Sequence, residues 1–287
     1  MKDQIFHGII CDGEAMLLMI NFSASAKEAK TLLNLNDGTC QALGRLLAAA
    51  VLLAQRNKSQ SEKLTCILQG GGPIGKMLVT AENNGNVKGY VENPGAVALT
   101  SDFLLPALIG VSGQLTIVRD NPIGEPYVGV TKLVCGDITR DVAAYLVSSE
   151  QQPAAMALDC KVEGEEVVCG GVMIIPYPAC KQKAIDDIED KMASINDLTK
   201  RLKEHDSLEE IAYDLFWDIG IKPLETTDTK YFCSCSRTRF EQGLISLGKN
   251  ELLSLAYDQK DTEICCNFCN KKYVFTRQEI KKLAEEL

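Results

Sequence analysis

Two pairs of closely spaced cysteines near the end of the chain have the residue types and spacing of a metal site. The first pair is Cys233-Ser-Cys235, and the second pair, after 30 further residues, is Cys266-Asn-Phe-Cys269. Each pair can place two sulfurs on one tight turn, so the two pairs together can close a tetrahedral site around one ion. Four thiolates without a histidine suit zinc or an iron–sulfur cluster. Zinc is favoured, because iron–sulfur clusters usually use other spacings.

The same spacing also makes the site sensitive to oxidation. Both pairs are close enough to form local disulfides, and the small ring of the Cys-X-Cys pair would be strained and easily reduced again. A thiolate bound to zinc is already deprotonated and stays available to an oxidant. Oxidation of both pairs would remove on the order of 10–16 kcal/mol of folding free energy that zinc binding supplies. The simpler alternative is an inert structural zinc site, as most four-cysteine sites are.

The remaining cysteines are interpreted separately from these pairs. Cys265 could compete as a ligand or act as a resolving thiol, but its spacing to Cys269 breaks the two-residue pattern, which favours Cys266 as the ligand. Seven other cysteines are scattered singly through the first 180 residues. In a reducing cytosol, single cysteines are most simply small buried hydrophobic residues.

The cysteine pairs lie in the last of three predicted parts of the chain. The 287 residues predict an α+β protein with a mixed α/β N-terminal domain at 1–180, a helical linker at 181–230 and a small C-terminal zinc-binding domain at 231–287. The last part is too short for a sufficient hydrophobic core, so a metal ion or a cross-link is expected there.

The first part begins with strand and helix signals. Strand-like segments at 4–11 and 15–22 flank an Asp-Gly turn and predict a hairpin. Ser25 and Glu28 fit a capping box in front of a short helix. The segment Gly70–Lys76 nearly matches a phosphate-binding loop, but a strand-like run follows where a helix is needed. A glycine-rich turn is therefore the favoured interpretation.

Residues 181–230 predict amphipathic helices. A helical stripe is formed by Ile185, Ile188, Met192, Ile195, Leu198 and Leu202. A second helix is predicted from the capping box Ser207/Glu210 to Gly220, with Trp217 as a packing anchor. The segment holds 13 acids and 8 bases, which fits either a solvated connector or a weakly held element that docks or unfolds. Neither stripe is stable alone, so both must pack against a neighbouring domain.

Composition disfavours two classes of partner. The chain has 39 acids and 30 bases, a net charge of −9, which disfavours a protein held to nucleic acid by phosphate contacts. The longest apolar run, near 46–54, is shorter than the 18 or so residues that span a bilayer. The N-terminal residues lack the apolar core of a signal peptide. The sequence therefore predicts a soluble cytoplasmic protein without nucleic-acid or membrane partners.

Five runs of sequence carry a resemblance to a known family. The runs 233–248 (CSCSRTRFEQGLISLG) and 266–275 (CNFCNKKYVF) resemble the heat shock protein 33 family of redox-regulated holdase chaperones. Runs 71–94, 115–130 and 136–158 are similar to the same family in matching order. The resemblance therefore covers most of the chain and implies an α/β domain, a helical linker and a zinc domain.

The resemblance also implies a function and a set of site residues. It implies that Cys233, Cys235, Cys266 and Cys269 hold one zinc ion when reduced. On oxidation, it implies disulfides Cys233–Cys235 and Cys266–Cys269, loss of zinc, and ATP-independent binding of unfolding client proteins. It further suggests a homodimer on activation. Loss of the zinc domain would expose the apolar stripes of the linker and the surface that they cover, which is what a chaperone needs to capture unfolded chains.

Two other functions are weighed against a non-enzymatic chaperone. A thiol–disulfide oxidoreductase could use Cys266 and Cys269, but no strand is predicted before that pair and no long helix begins at it, as a thioredoxin-like site requires. A zinc-ribbon protein that binds nucleic acid is disfavoured by the acidic balance of the chain.

Overall fold

The computed structural model describes residues 1–57, 62–98, 105–121, 124–257 and 261–287. The chain divides into two units, Met1–Phe232 and Cys233–Leu287. Residues 122–123 of the run 115–130 lie outside the described residues.

The first unit contains eleven described strands and seven described helices. The strands are β1 (Gln4–Ile10), β2 (Ala15–Asn21), β3 (Lys63–Gln69), β4 (Lys76–Glu82), β5 (Asn86–Val91), β6 (Gln114–Arg119), β7 (Tyr127–Lys132), β8 (Ala155–Glu163), β9 (Glu166–Pro176), β10 (Ile221–Asp228) and β11 (Lys230–Tyr231). The helices are α1 (Ser23–Leu33), α2 (Asp37–Ala54), α3 (Leu105–Ile109), α4 (Ile138–Ser148), α5 (Gln182–Ser194), α6 (Leu198–Glu204) and α7 (Leu208–Phe216). The predicted mixture of helices and strands is confirmed.

These strands form two sheets. Sheet A has the order β10-β1-β2-β9-β8, and all its pairs are antiparallel. Sheet B has the order β11-β5-β4-β3-β6-β7, in which β11 runs parallel to β5. The predicted first hairpin is confirmed, with Ile10 opposite Ala15. The glycine-rich segment after β3 leads into β4, so the predicted turn is confirmed as well.

Helix α2 is the centre of the first unit. It packs against β8 and β9 of sheet A and against β3, β4 and β5 of sheet B. Its Ala, Leu and Val residues are buried almost throughout, because apolar side chains face a sheet on either side. By length and composition α2 is apolar enough to cross a membrane, but 83% of it is buried inside the protein, as in the core helix of a soluble domain.

The predicted capping box at Ser25 and Glu28 is wrong. Helix α1 begins two residues earlier, at Ser23, and its first N–H groups are satisfied from a distance in sequence. The carboxylate of Asp3 accepts hydrogen bonds from the N–H groups of Ala24 and Ser25, at 3.0 and 2.6 Å. The Ser25 hydroxyl instead accepts from the N–H of Tyr231 at 2.9 Å. A local pattern cannot reveal a cap from Asp3, which lies about 20 residues earlier in the chain.

The segment predicted as a helical linker does not form one continuous helix under its first apolar stripe. The stripe is split between α5 and α6, because Asp197 has a left-handed backbone with φ of +58°. Helix α7 begins after Ser207, whose hydroxyl accepts from the N–H of Glu210 as predicted. Residues Ile221–Asp228 are not part of a linker helix but form β10, which pairs with β1 at the edge of sheet A.

The apolar stripes of these helices pack against sheet A, which belongs to the same unit. They cover the face of sheet A that points away from α2. From the sheet, this second apolar cluster includes Phe6, Leu17, Met19, Val172 and Ile174. From the helices, it includes Ile188, Leu198, Leu202, Leu208, Ile211 and Leu215. The linker helices and this face of sheet A therefore bury one another's apolar side chains, which would be exposed to water if the two were separated.

The second unit is small and has its own core. It contains α8 (Arg237–Ile245), α9 (Lys249–Tyr257), β12 (Thr262–Cys265), β13 (Lys272–Phe275) and α10 (Arg277–Glu285). Thr276 and Glu279 have the residue types and spacing that predict a capping box, and this box is present in full at the start of α10. The fully buried core is formed by Leu244, Leu252, Tyr273, Phe275, Ile280 and Ala284. Such a short list of apolar residues fits the expectation that the unit needs further stabilisation.

Candidate metal centre

The second unit brings together the four cysteines that the sequence singles out. Among the residues that the structure describes, the cysteine, histidine and carboxylate atoms close enough to share one ion are the sulfurs of Cys233, Cys235, Cys266 and Cys269. These sulfurs all lie within 4.8 Å of one another. All four are thiols, and Cys266 is the most deeply buried of them, at 4% exposed.

The distances between the sulfurs fit a single tetrahedral ion. The Sγ atoms of Cys233 and Cys266 are 3.7 Å apart, and those of Cys235 and Cys269 are 3.4 Å apart. A Zn–S bond of about 2.3 Å places the sulfurs of a tetrahedral site about 3.8 Å apart. Several irons placed between the cysteines would hold their sulfurs farther apart than one ion does. The donor set therefore fits one thiophilic ion.

Two local structures position the cysteines. Cys233 and Cys235 lie in the extended segment between β11 and α8, and the hydroxyl of Ser236 caps α8 directly after them. The second pair lies in the turn between β12 and β13. There the N–H groups of Cys269 and Asn270 both donate to the carbonyl of Cys266, at 3.3 and 2.8 Å. Asn270 has a left-handed backbone, with φ of +54°, which a short polar residue tolerates.

Cys265 does not belong to the sulfur cluster. It is the last residue of β12 and is exposed, whereas the next residue, Cys266, is buried. Its sulfur lies 4.0 Å from the side-chain oxygen of Asn270. The structure thus places Cys266 with the other three sulfurs and leaves Cys265 outside them.

A tyrosine that the sequence pattern did not indicate contacts the cluster. The hydroxyl of Tyr273 on β13 lies 3.1 Å from Sγ of Cys235. Burial alone raises the pKa of the Cys235 thiol, but hydrogen bonds from Tyr273 and from the neighbouring thiols lower it to about 7. Hydrogen bonds to sulfur stabilise the thiolate form, which is the form that binds a metal or meets an oxidant.

Cys266 and Cys269 lie in a β-hairpin. A strand, β12, does precede Cys266, contrary to the prediction. The segment after the pair, however, is another strand, β13, which pairs antiparallel with β12. A thioredoxin-like site needs a helix that begins at the cysteine pair, so this hairpin still does not fit one.

Outside the sulfur cluster, a buried polar contact joins the linker helix α6 to strand β8 of sheet A. Thr199 of α6 is 1% exposed, and its hydroxyl lies 3.0 Å from the Asp159 carboxylate on β8 and 3.1 Å from that of Asp197. Asp159 also accepts from the Arg45 guanidinium of α2 at 3.1 Å. The contacts of Asp159 with Thr199 and Arg45 join residues distant in sequence, so the sequence pattern missed them.

The predicted role of Trp217 is wrong. Trp217 is 71% exposed, because the last turn of the second linker helix tightens to a 3-10 turn and carries the indole outward. Of the seven scattered cysteines, five are buried as expected, whereas Cys135 and Cys180 are half-buried.

Comparison with known proteins assigns the chain to a family. The family model of Hsp33 protein matches residues 3–276. A 33 kDa chaperonin of Thermoanaerobacter sp. (strain X514) is 33% identical over 99% of this chain and 98% of its own length. The 33 kDa chaperonin of Bacillus cereus (strain B4264) is 32% identical over the whole of both chains.

A solved structure agrees with the sequence comparison. The crystal structure of the 33 kDa chaperonin, or heat shock protein 33 homolog, from Thermotoga maritima matches 100% of this chain with a TM-score of 0.89 and 27% identity. It is covered over 99% of its own length. The chain therefore belongs to the Hsp33 protein family of chaperones.

Proposed function

We propose that this chaperone is a redox-regulated, ATP-independent holdase that binds unfolding client proteins. The observation that carries the proposal is the cluster of four thiols within 4.8 Å of one another in a unit with a small apolar core. A unit that depends on such a cluster loses stability when the thiols are oxidised. Family membership supports the chaperone activity, and the cluster supports its control by oxidation.

In the reduced protein, Cys233, Cys235, Cys266 and Cys269 would hold one zinc ion. Zinc would supply folding free energy on the order of 10–16 kcal/mol to the second unit. The Tyr273 hydroxyl would hold the Cys235 sulfur in its deprotonated form by a hydrogen bond.

Oxidation would convert the four sulfurs to two disulfides, Cys233–Cys235 and Cys266–Cys269. Each pair of zinc-bound thiolates gives two electrons to one molecule of peroxide, which takes two protons from solvent and leaves as two molecules of water. The nearest sulfurs in the folded cluster belong to different pairs, but those contacts depend on the fold. Neighbours in Cys-X-Cys and Cys-X-X-Cys remain close when the unit unfolds, which favours the local disulfides. The four sulfurs then no longer bind the ion, which is released.

The surface that captures clients would be the apolar contact between the linker helices and sheet A. Strand β11 ends two residues before Cys233, and β10 is an edge strand held on one side by β1. Unfolding of the second unit would fray this edge and loosen α5–α7, which cover Leu17, Met19 and Val172. The acidic side chains of the linker would keep the open form in solution.

Light scattering of an unfolding client tests the proposal. Without ATP, we expect aggregation to be suppressed by the peroxide-treated protein at mild heat and not by the reduced, zinc-loaded protein. Equal suppression by both forms would contradict control by oxidation, and no suppression by either would contradict the holdase itself. Turnover of a dithiol substrate would favour the oxidoreductase that uses Cys266 and Cys269.

The remaining parts of the proposal concern assembly and location. We infer a non-enzymatic binding protein of the cytoplasm that forms a homodimer when activated and has neither nucleic acid nor membrane as a partner. We propose that residues 1–180 bind clients, that the linker 181–230 covers the binding surface, and that residues 231–287 sense oxidation. Sedimentation of the oxidised and reduced protein, with and without RNA, tests the state of assembly and the partner together.

A further inference from the structure

Two cysteines outside the sulfur cluster lie where the linker begins. Cys11 follows β1 in the turn that leads to β2, and Cys180 lies between β9 and the linker helix α5. Sγ of Cys11 is 3.9 Å from the carbonyl oxygen of Ala184, and Sγ of Cys180 is 3.7 Å from that of Lys181. Both sulfurs therefore contact the backbone at the start of the same helix.

Two turns at the same end of sheet A carry these cysteines, one turn before β2 and the other after β9. The ladder between β2 and β9 is extended by the Tyr177 N–H, which donates to the carbonyl of Glu14 at 2.9 Å. On one strand, the Glu14 N–H closes a turn onto the carbonyl of Cys11 at 3.1 Å; on the other, the Cys180 N–H closes a turn onto that of Tyr177 at 2.9 Å. Each cysteine thus lies three residues beyond one paired position, and Cys180 packs against the apolar cluster that contains Cys11.

Solvent reaches this place. A cleft of about 520 Å³ is lined by Cys11, Glu14, Ala184 and Trp217, among other residues. Cys180 itself is half-buried. A small oxidant can therefore meet both thiols in the folded protein, unlike Cys160 and Cys169, which are fully buried.

We propose that Cys11 and Cys180 are a second oxidation site, at which a peroxide forms a disulfide that ties the start of α5 to the turn between β1 and β2. A sulfur of this pair attacks one oxygen of the peroxide, the O–O bond breaks, and a sulfenic acid and water result. The other sulfur then attacks the sulfenic sulfur, the S–S bond forms, and the S–O bond breaks with loss of water. Two thiols lose two electrons and two protons, and one peroxide becomes two molecules of water.

The local charges make this oxidation slow. Burial, together with the carboxylates of Asp187 and Glu14, raises the pKa of Cys11 to about 11. Burial and the Glu14 carboxylate also raise the pKa of Cys180. Because the thiolate is the nucleophile, a small thiolate fraction lowers the rate of reaction with peroxide. The pair therefore reacts only under strong or prolonged oxidation.

The disulfide would limit release of the linker, a consequence that rests on the proposed function. With its first turn tied to sheet A, α5 cannot leave the sheet, whereas α6 and α7 remain free to do so. The apolar face under α5, including the contact with Ile188, would stay covered. Prolonged oxidation would thus cap the client-binding surface that brief oxidation opens.

Disulfide mapping of the full-length, zinc-loaded protein tests the site without reference to chaperone activity. After prolonged treatment with hydrogen peroxide and alkylation of the remaining thiols, trypsin should yield peptide 3–27 joined to peptide 162–181, lighter than their sum by two hydrogen atoms. Fragmentation must place the bond at Cys180 and not at Cys169. The joined peptide should be lost in both Cys11→Ser and Cys180→Ser and should persist in the matched control Cys135→Ser.

Two results would overturn the inference. One is recovery of Cys11 and Cys180 as separately alkylated peptides after the prolonged treatment with hydrogen peroxide. The other is a bond from either residue to a different cysteine. A disulfide requires Cα atoms within about 7 Å, so the bond is itself the test of the geometry. The mapping result does not depend on whether the protein acts as a holdase. After oxidation, hydrogen exchange in 182–194 should be slower in the wild type than in Cys11→Ser, which measures the effect of the disulfide on α5 without reference to chaperone activity.

Discussion

Cys265 and Cys266 are adjacent in the chain, yet Cys266 places its sulfur 3.7 Å from that of Cys233 while the side chain of Cys265 is exposed to solvent. Cys265 ends β12 at an exposed position paired with Lys272. Cys266 lies just past the strand, in the turn, where its N–H donates to the carbonyl of Lys271 at 3.0 Å. The junction between strand and turn therefore selects which of the two neighbouring thiols joins the cluster.

This relationship predicts opposite effects of two neighbouring substitutions. Cys266→Ser removes one of four proposed ligands, and we expect zinc affinity to fall by at least about 100-fold, since even changes around the ligands cost 10–100-fold. Cys265→Ser should retain one zinc ion per chain. Zinc bound after gel filtration, measured by atomic absorption, gives the comparison. Equal loss in both variants would show that Cys265 is a ligand.

The tyrosine beside the cluster predicts a weaker effect. Tyr273→Phe removes the hydroxyl that lies 3.1 Å from the Cys235 sulfur but keeps the ring in the core. We expect zinc affinity to fall by about tenfold and the reaction with peroxide to slow, because the thiolate loses a hydrogen bond. Tyr257→Phe, at an exposed tyrosine, is the matched control. Competition with a chromogenic chelator measures the affinity, and identical values for the two variants would contradict the role of Tyr273.

The hydrogen bond between Thr199 of α6 and Asp159 of β8 predicts that the linker opens more readily when this bond is removed. Thr199→Val leaves the Asp159 carboxylate without one buried partner and should cost about 1 kcal/mol, or roughly fivefold more frequent opening. Hydrogen exchange in 198–204 should quicken accordingly in the reduced protein. Thr31→Val loses only an exposed hydrogen bond to the carbonyl of Lys27 and should change nothing measurable.

A half-buried cluster of one carboxylate and two guanidiniums predicts the acid sensitivity of the first unit. Glu150 lies 2.6 Å from Arg56 and 3.0 Å from Arg119. Burial raises the pKa of its carboxyl, but the two guanidiniums outweigh burial and hold it below its ordinary value of 4.5. A depressed pKa in the folded state gives stability that is complete above the unfolded value and is lost as pH falls through the folded one.

We therefore expect Glu150→Gln to lower the unfolding free energy at neutral pH by about 2 kcal/mol, since two half-buried guanidiniums lose their anionic partner. The difference from wild type should shrink as pH falls below 4.5. Urea unfolding at several pH values measures it. A difference that stays constant with pH would show that the charge of Glu150 contributes nothing.

Gly44 in the core helix α2 predicts that adding a methyl group there causes a steric clash, which a smaller neighbouring side chain would relieve. A Cβ atom on Gly44 of α2 would lie 2.7 Å from Sγ of Cys160 and 3.2 Å from Sγ of Cys169. Gly44→Ala should therefore cost about 1–3 kcal/mol from overpacking, against a gain of about 1 kcal/mol in helix propensity. Adding Cys160→Ala should recover part of the loss. Thermal unfolding of both variants tests this, and an additive loss in the double variant would contradict it.

Some local patterns predicted structure that the fold preserves. The hairpin of β1 and β2, the capping box of Thr276 and the cap at Ser207 all depend on residues close in sequence, so their signals are complete in the sequence. The prediction at Ser25 failed because Asp3 caps α1 across the sheet. The prediction at Trp217 failed because an apolar position in a helical pattern does not say on which side of a tightened turn the ring lies.

The spacing of Cys233, Cys235, Cys266 and Cys269 determined that this chain could build a four-sulfur site, because ligand type and turn length are local properties. The apolar periodicity of 181–230 likewise determined that its helices need a partner. Only the tertiary structure decided that the partner is the outer face of sheet A, that Tyr273 contacts the sulfur of Cys235, and that Thr199 contacts Asp159. These contacts join distant parts of the chain, and packing geometry, not local pattern, selects them.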